Sequence, residues 1–211
     1  MIEKYKHIIW DWNGTIFNDV ELGVEIINGM LAGRGITPLT TELYREKFTI
    51  PVQDYYSVIG FDFTKEPFEV VGKEWMEEYE RRKYECGLYD GIIDLFEKIE
   101  GLGIGQSILS AYSQHTLEEM VDHFNLRKYL EHIAGLDNIY AASKMNLGRE
   151  LMGKLGHGHG ETILIGDTEH DYEVAAGIGS DCLLIANGHQ SRNKLLTLGV
   201  PVIDDIRSLL V

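Results

Sequence analysis

Short, uninterrupted apolar runs that end in turn-forming residues recur along this chain of 211 residues, and they limit the folds open to it. The first is His7-Ile8-Ile9-Trp10, closed by Asp11-Trp12-Asn13-Gly14-Thr15. Others are Ser107-Ile108-Leu109-Ser110, His132-Ile133-Ala134-Gly135, Thr162-Ile163-Leu164-Ile165-Gly166 and Cys182-Leu183-Leu184-Ile185-Ala186. Such a run, without polar alternation, reads as a strand buried on both faces. Stretches with helical spacing, such as Ile92 to Ile99 and Leu147 to Leu155, lie between them. Buried strands alternating with helices predict a doubly wound parallel α/β sheet, whose ligands sit beyond the carboxyl ends of the strands.

Residues 17–87 interrupt this alternation with helical patterns and no convincing strand. Val20 to Leu31 is amphipathic, Thr40 and Thr41 cap a helix through Lys47, and Pro51 opens another toward Ile59. Glu66 to Glu85 is dense in charge and reads as a solvated helix face with i,i+4 pairs. The expectation is a helical insertion over 17–87 after the first strand, with the α/β core formed by 1–16 and 88–211. Hinges near Asn18 and Gly87–Gly91 would let the insertion close as a lid. Its Tyr44, Tyr55, Tyr56, Phe61, Phe63 and Trp75 are expected mainly to pack, as are Trp10 and Trp12. Gly156-His157-Gly158-His159-Gly160 reads as a helix-to-strand loop.

Composition narrows the function. With 44% hydrophobic and 25% charged residues, the chain can bury a core and is not a disordered one. A net charge of −15 leaves no basic stripe for a nucleic acid, although one local cluster of donors can still hold a small phosphorylated ligand. No apolar run approaches the ~18 residues of a membrane span, and the N-terminus lacks the apolar stretch of a signal peptide. The expectation is a cytoplasmic protein with no membrane partner, acting as a monomer or homodimer. Cys86 and Cys182 lie far apart, without the spacing of a zinc site or disulfide framework.

Four polar clusters fall at the predicted carboxyl ends of the strands. Asp11-Trp12-Asn13-Gly14-Thr15 can present a carboxylate beside free backbone N–H groups, though Asp and Gly are also ordinary turn formers. Ser110 with Ala111 can hold one oxyanion, or Ser110 can cap the next helix. Lys144 follows an N-cap candidate, Ser143, where its charge opposes the helix dipole and hints at a use elsewhere, though by itself it reads as a surface lysine. Gly166-Asp167-Thr168-Glu169-His170-Asp171 sets two carboxylates four residues apart, which suits Mg²⁺ but also an acidic first turn.

In order and spacing the four clusters resemble the haloacid dehalogenase (HAD) superfamily, and within it the phosphoglycolate-phosphatase-like group with a small α-helical cap inserted after strand one. The resemblance covers essentially the whole chain. It implies a Rossmann-like core and a Mg²⁺-dependent phosphatase acting on a small phosphorylated substrate. Asp11 would be the nucleophile that forms an aspartyl-phosphate. Asp11, the Asn13 carbonyl and Asp167 would ligate Mg²⁺, with Asp171 beside them. Ser110, Ala111, Lys144 and backbone N–H groups around Gly14 would hold the phosphoryl oxygens. Three carboxylates are balanced by one divalent cation and one ammonium, which allows an anion to attack a phosphate dianion.

One position departs from the family. Its phosphatases have Asp two residues after the nucleophile, as general acid and base, whereas this chain has Asn13. General acid–base help is worth about 10²–10⁴ in rate, so alkyl phosphates should be slow and aryl or acyl phosphates less affected. Three readings stay open. His115, His170 or His189 could supply the proton. The enzyme could be a phosphonate hydrolase using Lys47 as a Schiff base. Or the chain could be a catalytically weak relative that binds a phosphorylated ligand. A dehalogenase is disfavoured, because the Asp167 and Asp171 pair points to a metal.

Overall fold

The structure is a computed structural model that describes residues 2–136 and 143–210. Strand β1 (His7–Trp10) leads through β2 (Phe17–Asn18) into four helices: α1 (Val20–Gly33), α2 (Thr41–Lys47), α3 (Val52–Ile59) and α4 (Phe68–Arg82). The chain returns by β3 (Gly87–Leu88), which pairs antiparallel with β2. It then alternates as α5 (Ile92–Gly101), β4 (Gly105–Ser113), α6 (Gln114–His123), β5 (His132–Leu136), α7 (Lys144–Leu155), β6 (Thr162–Gly166), α8 (Glu169–Ile178), β7 (Asp181–Ile185), α9 (Arg192–Leu196) and β8 (Val202–Ile203). The parallel sheet has the order β5-β4-β1-β6-β7-β8.

The unbroken apolar runs have a direct cause. Successive side chains of a strand point to opposite faces, and each face has its own core. Ile8, Trp10, Ile108, Ile163, Ile165, Leu183 and Ile185 enter one core with α5 and α6 residues such as Phe96 and Met120. Ile9, Leu109, Leu164, Cys182 and Leu184 enter the other with Leu151, Val174 and Leu195 of α7, α8 and α9. A polar side chain at either parity is buried, so the few that occur are paired, as His7 is with Ser107 at 2.8 Å and Gln106 with Trp10 at 3.1 Å. This is the doubly wound sheet expected from the sequence.

Local chemistry sets the helices of the inserted stretch much as read. The Thr40 side chain accepts from Leu43 N at 3.2 Å and starts α2, and Pro51 precedes α3. The charged α4 is largely solvated, with Arg34 bridging Glu66 and Glu74 across to α1. Three details differ from expectation. The β2–β3 pair closes the base of the inserted stretch, and β8 edges the sheet; each strand has two residues, too few to show a period. Strand β4 does not end at Ser110 but runs to Ser113, with a register irregularity between Leu109 and Ser113. Such an irregularity re-aims side chains next to a site.

The helical stretch is tied to the core by polar contacts. Arg45 donates to the carbonyls of Gly188 (2.8 Å) and Asn187 (2.7 Å), and Ser191 N donates back to Arg45 O at 3.0 Å. Gln190 and Lys194 both donate to Phe48 O. No helix among the described residues is long and apolar enough to cross a membrane.

Candidate active site

Strand β1 lies between β4 and β6, where the strand order reverses, and this opens a crevice beyond its carboxyl end. Trp10 is level with Ile108 on one side and Ile165 on the other. The next residue, Asp11, donates its backbone N–H to Ile165 O at 2.9 Å. Parallel register therefore brings Asp11, Ser110 and Asp167 to one edge. All three line a cavity of about 370 Å³ with Asn13, Ala111, Lys144 and Asp171. A larger groove of about 1030 Å³ between α1 and α4 is lined largely by charged side chains such as Glu25, Lys73 and Arg82 and holds none of these groups.

Lys144 opens α7 after the Ser143 N-cap, which accepts from Asn146 N at 3.3 Å. Its ammonium touches Asp11 Oδ1 and lies 2.5 Å from Asp171 Oδ1, with all three groups buried. A lysine set against the helix dipole is thus held by two carboxylates. Burial opposes its charge, and Asp11 and Asp171 outweigh that and raise its pKa. Asp171 Oδ2 accepts from Thr168 N (3.0 Å), Thr168 Oγ1 (2.7 Å) and Asp167 N (3.2 Å). Burial works against its ionisation, but Lys144 and the Thr168 hydrogen bonds win and its pKa falls.

Asp167 is held from two sides. Its Oδ1 accepts from Thr15 Oγ1 at 3.1 Å and its Oδ2 from His189 N at 2.6 Å. Glycine is required around it: a Cβ on Gly14 would stand 2.4 Å from Asp167 Oδ2, and one on Gly188 would stand 2.2 Å away. A Cβ on Gly166 would stand 2.3 Å from Asp171 Cγ.

Asp11, Asp167 and Asp171 each offer an oxygen within 4.8 Å of the others. Burial, with help from the neighbouring carboxylates, pushes Asp11 and Asp167 upward. Three buried carboxylates beside one ammonium are short of positive charge, and an all-oxygen set of this kind fits a hard divalent cation.

Asp19 and Tyr79 were not foreseen from the sequence, and neither was the pairing of His189 with Asp19. Asp19 stands at the N-cap position of α1 but makes no cap bond. Its Oδ1 instead accepts from Gly14 N at 2.9 Å, and its Oδ2 from Asn13 Nδ2 at 2.8 Å and Tyr79 Oη at 2.7 Å. His189 Nε2 lies 3.3 Å from Asp19 Oδ1, and its Nδ1 lies 2.8 Å from Tyr44 Oη. Burial disfavours the imidazolium, but Asp19 and Asp167 raise the His189 pKa to about 9. Asp19 is buried too, yet His189, Tyr79 and Asn13 hold it below the usual carboxylate range. The pair adds no net charge to the site.

These contacts revise the expected role of Gly14, whose N–H donates to Asp19 and to Phe17 O and so is engaged within the loop. Gly14 supplies room for Asp167 instead. Ser110 does not cap α6; its Oγ accepts from Tyr112 N at 3.1 Å. Of the three histidines considered, His170 and His189 line the cavity and the exposed His115 does not. Lys47 does not line it either, and Lys144 is the lysine that does.

Residues 8–185 match the family of haloacid dehalogenase-like hydrolases. A 5'-nucleotidase of Pseudomonas aeruginosa is 28% identical over 202 residues, covering 91% of this chain and 87% of that one. The tyrosine-protein kinase PtkA of Mycobacterium tuberculosis is 24% identical over 189 residues, 89% of this chain and 64% of that protein. A haloacid dehalogenase-like hydrolase of Streptococcus pneumoniae superposes with a TM-score of 0.82 at 19% identity, over 100% of this chain and 98% of that one. The chain belongs to the haloacid dehalogenase-like hydrolases.

Proposed function

We propose that the protein is a Mg²⁺-dependent phosphatase of a small phosphorylated metabolite, working through an aspartyl-phosphate on Asp11. The observation that carries this reading is the Asp11 carboxylate at the end of the central strand, in contact with Lys144 and beside Asp167 and Asp171. An Asp11 oxygen attacks phosphorus, the ester P–O bond breaks, and the electron pair leaves with the alcohol oxygen. Water then attacks phosphorus, the Asp11 O–P bond breaks, and inorganic phosphate departs. Lys144 holds charge developing on the phosphoryl oxygens, with Ser110 and the Ala111 N–H on the other side. Mg²⁺ would be held by Asp11, Asp167, the Asn13 carbonyl and Asp171, and when bound it supplies charge neutralisation at the phosphoryl group.

Residues 17–87 act as the cap, and the contacts of Arg45 and Phe48 with residues 187–194 are where it closes on the core. Asn13 cannot give and recover a proton at neutral pH, so leaving alkoxides depart without help from that position. A phosphonate hydrolase is disfavoured, because the lysine lining the cavity is Lys144, already paired with two carboxylates.

Acid quenching after a single turnover with a ³²P-labelled acyl phosphate tests the mechanism. Label bound to wild-type protein and absent from Asp11→Asn is the expected result. Turnover without bound label, persisting in Asp11→Asn, would remove Asp11 as nucleophile.

A further inference from the structure

We infer that, if the phosphatase reading holds, the leaving group this site accepts is an uncharged aromatic alcohol, so that its substrates are aryl monophosphates rather than phosphorylated carboxylic acids or sugars. The first observation is a division of chemistry across the cavity. Its carboxylates, its ammonium and its imidazoles, from Asp11, Asp19, Asp167, Asp171, Lys144, His170 and His189, all come from the core and the turn before α1. Every lining residue supplied by 20–82 is uncharged, from Ile27 to Tyr79. That stretch carries many charges, including Arg45, Lys47, Asp54, Glu74 and Glu77, and turns none of these toward the cavity.

The wall facing the site is instead aromatic and aliphatic, with Phe48, Tyr55, Tyr56, Phe68, Trp75 and Met76. Trp75 stacks on Tyr79 at 4.8 Å between ring centroids, and Phe48 packs against Tyr55 at 5.2 Å. The tyrosine hydroxyls next to the carboxylates are already engaged, Tyr44 with His189 and Tyr79 with Asp19 and Asn13. Ile50, Val52 and Met76 line the cavity yet are 37%, 36% and 44% exposed, so its rim is apolar as well. Apolar groups held in water around an opening mark a binding site.

A substrate carboxylate or a set of sugar hydroxyls would lose its water here and meet no free cation among the described lining residues, and a neutral donor such as the buried, unpartnered Tyr55 hydroxyl matches neither a carboxylate's charge nor a full set of hydroxyls. Lys144 is taken by Asp11 and Asp171, and His189 by Asp19. Burying a charge without a partner is strongly unfavourable. An aromatic ring would gain stacking partners instead. Size agrees: a cavity of about 150 Å³ accommodates benzene, so about 370 Å³ leaves space for a ring system and its phosphoryl group. Asn13 points the same way from independent chemistry. With no acid at that position, a phenolate departs far more readily than an alkoxide.

Calorimetric titration with two non-hydrolysable phosphonates, benzylphosphonate and phosphonoacetate, in the presence of Mg²⁺ tests recognition apart from turnover. Benzylphosphonate should bind at least about 30-fold more tightly, and Met76→Lys should narrow that ratio by about tenfold, as a cation at the rim meets the carboxylate. Equal binding, or tighter binding of phosphonoacetate, overturns the inference. In turnover, 2-naphthyl and phenyl phosphate should exceed benzyl phosphate by about 10² in kcat/KM, and benzyl phosphate should exceed phosphoglycolate and AMP. Phosphoglycolate or AMP outperforming benzyl phosphate also overturns it. Acetyl phosphate has a good leaving group and almost no body, so its hydrolysis reports the phosphatase reading separately from the choice of leaving group.

Discussion

The Asn13 side-chain amide donates a 2.8 Å hydrogen bond to the buried Asp19 carboxylate. The same amide nitrogen reaches Tyr79 Oη at 2.6 Å. An amide is thus the donor that Asp19 needs, and Asn13 belongs to a network of Asp19, Tyr79, His189 and Tyr44. In the unmodified protein this network has no second carboxylate beside Asp19.

Asn13→Asp places such a carboxylate there. Two carboxylates at hydrogen-bond distance cannot both ionise, so they hold a proton between them. The expected outcome is a rise of about 10² in kcat for benzyl phosphate, the lower end of general acid catalysis, with phenyl phosphate nearly unchanged. Steady-state kinetics on the two esters checks it, and an unaltered benzyl phosphate rate in a folded variant shows that the missing acid does not limit turnover.

Removing the ammonium between Asp11 and Asp171 should cost both stability and activity. Lys144→Met leaves two buried carboxylates facing each other, and breaking a buried pair from one side costs about 3–5 kcal/mol. Urea unfolding in EDTA measures this loss. Turnover of phenyl phosphate falls by about 10²–10³, the usual effect of deleting one group that stabilises transition-state charge.

Mg²⁺ should stabilise the fold through the Asp11, Asp167 and Asp171 cluster. At a concentration 100 times its Kd, a ligand adds about 2.7 kcal/mol, which raises the Tm of a chain of this size by roughly 5–10 °C. Asp167→Asn removes most of that rise. A melting curve that responds equally in wild type and variant places the cation elsewhere.

The Asp19–His189 pair makes stability depend on pH. His189 is raised to about 9 from an unfolded value near 6.5, so its contribution is complete below pH 6.5 and is lost as pH climbs toward 9. Asp19 is lowered, so its contribution stays complete above about pH 4 and disappears only in acid. In EDTA, the urea midpoints of wild type and His189→Gln should therefore converge between pH 6.5 and 9. A constant gap across that window would show that the pair is not ionised.

Most motifs read from the sequence meet at the crevice because they are local to a strand end or a helix start, whereas Ser110 lies within β4, where the register is irregular. Asp11 and Asp167 each follow a buried run, and the Ser143–Lys144 step announces a helix start. Asp19 was not legible, because an Asp before a helix is the ordinary signature of an N-cap, and only its missing cap bond reveals another use. His189 was read as a candidate proton donor, but its partner Asp19 was hidden, because the two are 170 residues apart. Tyr79 was hidden in a helix that read as a solvated charged face, and its own buried side faces Asp19.

The sequence by itself determined the type of each long element and the parallel sheet, since unbroken apolar runs and a helical period of 3.6 are written in neighbouring residues. It also carried Asp11, Lys144, Asp167 and Asp171, whose positions follow from where strands stop and helices start. Only the tertiary structure decided that Asn13 is held by Asp19 and Tyr79, that His189 pairs with Asp19, and that the uncharged side of residues 20–82 faces the carboxylates. Apart from Asn13 and Asp19, which are six residues apart, those contacts join segments 66 to 170 residues apart. The same residue types, met singly along a chain, are just as suited to a solvated surface, and it is removal from water that turns them into partners.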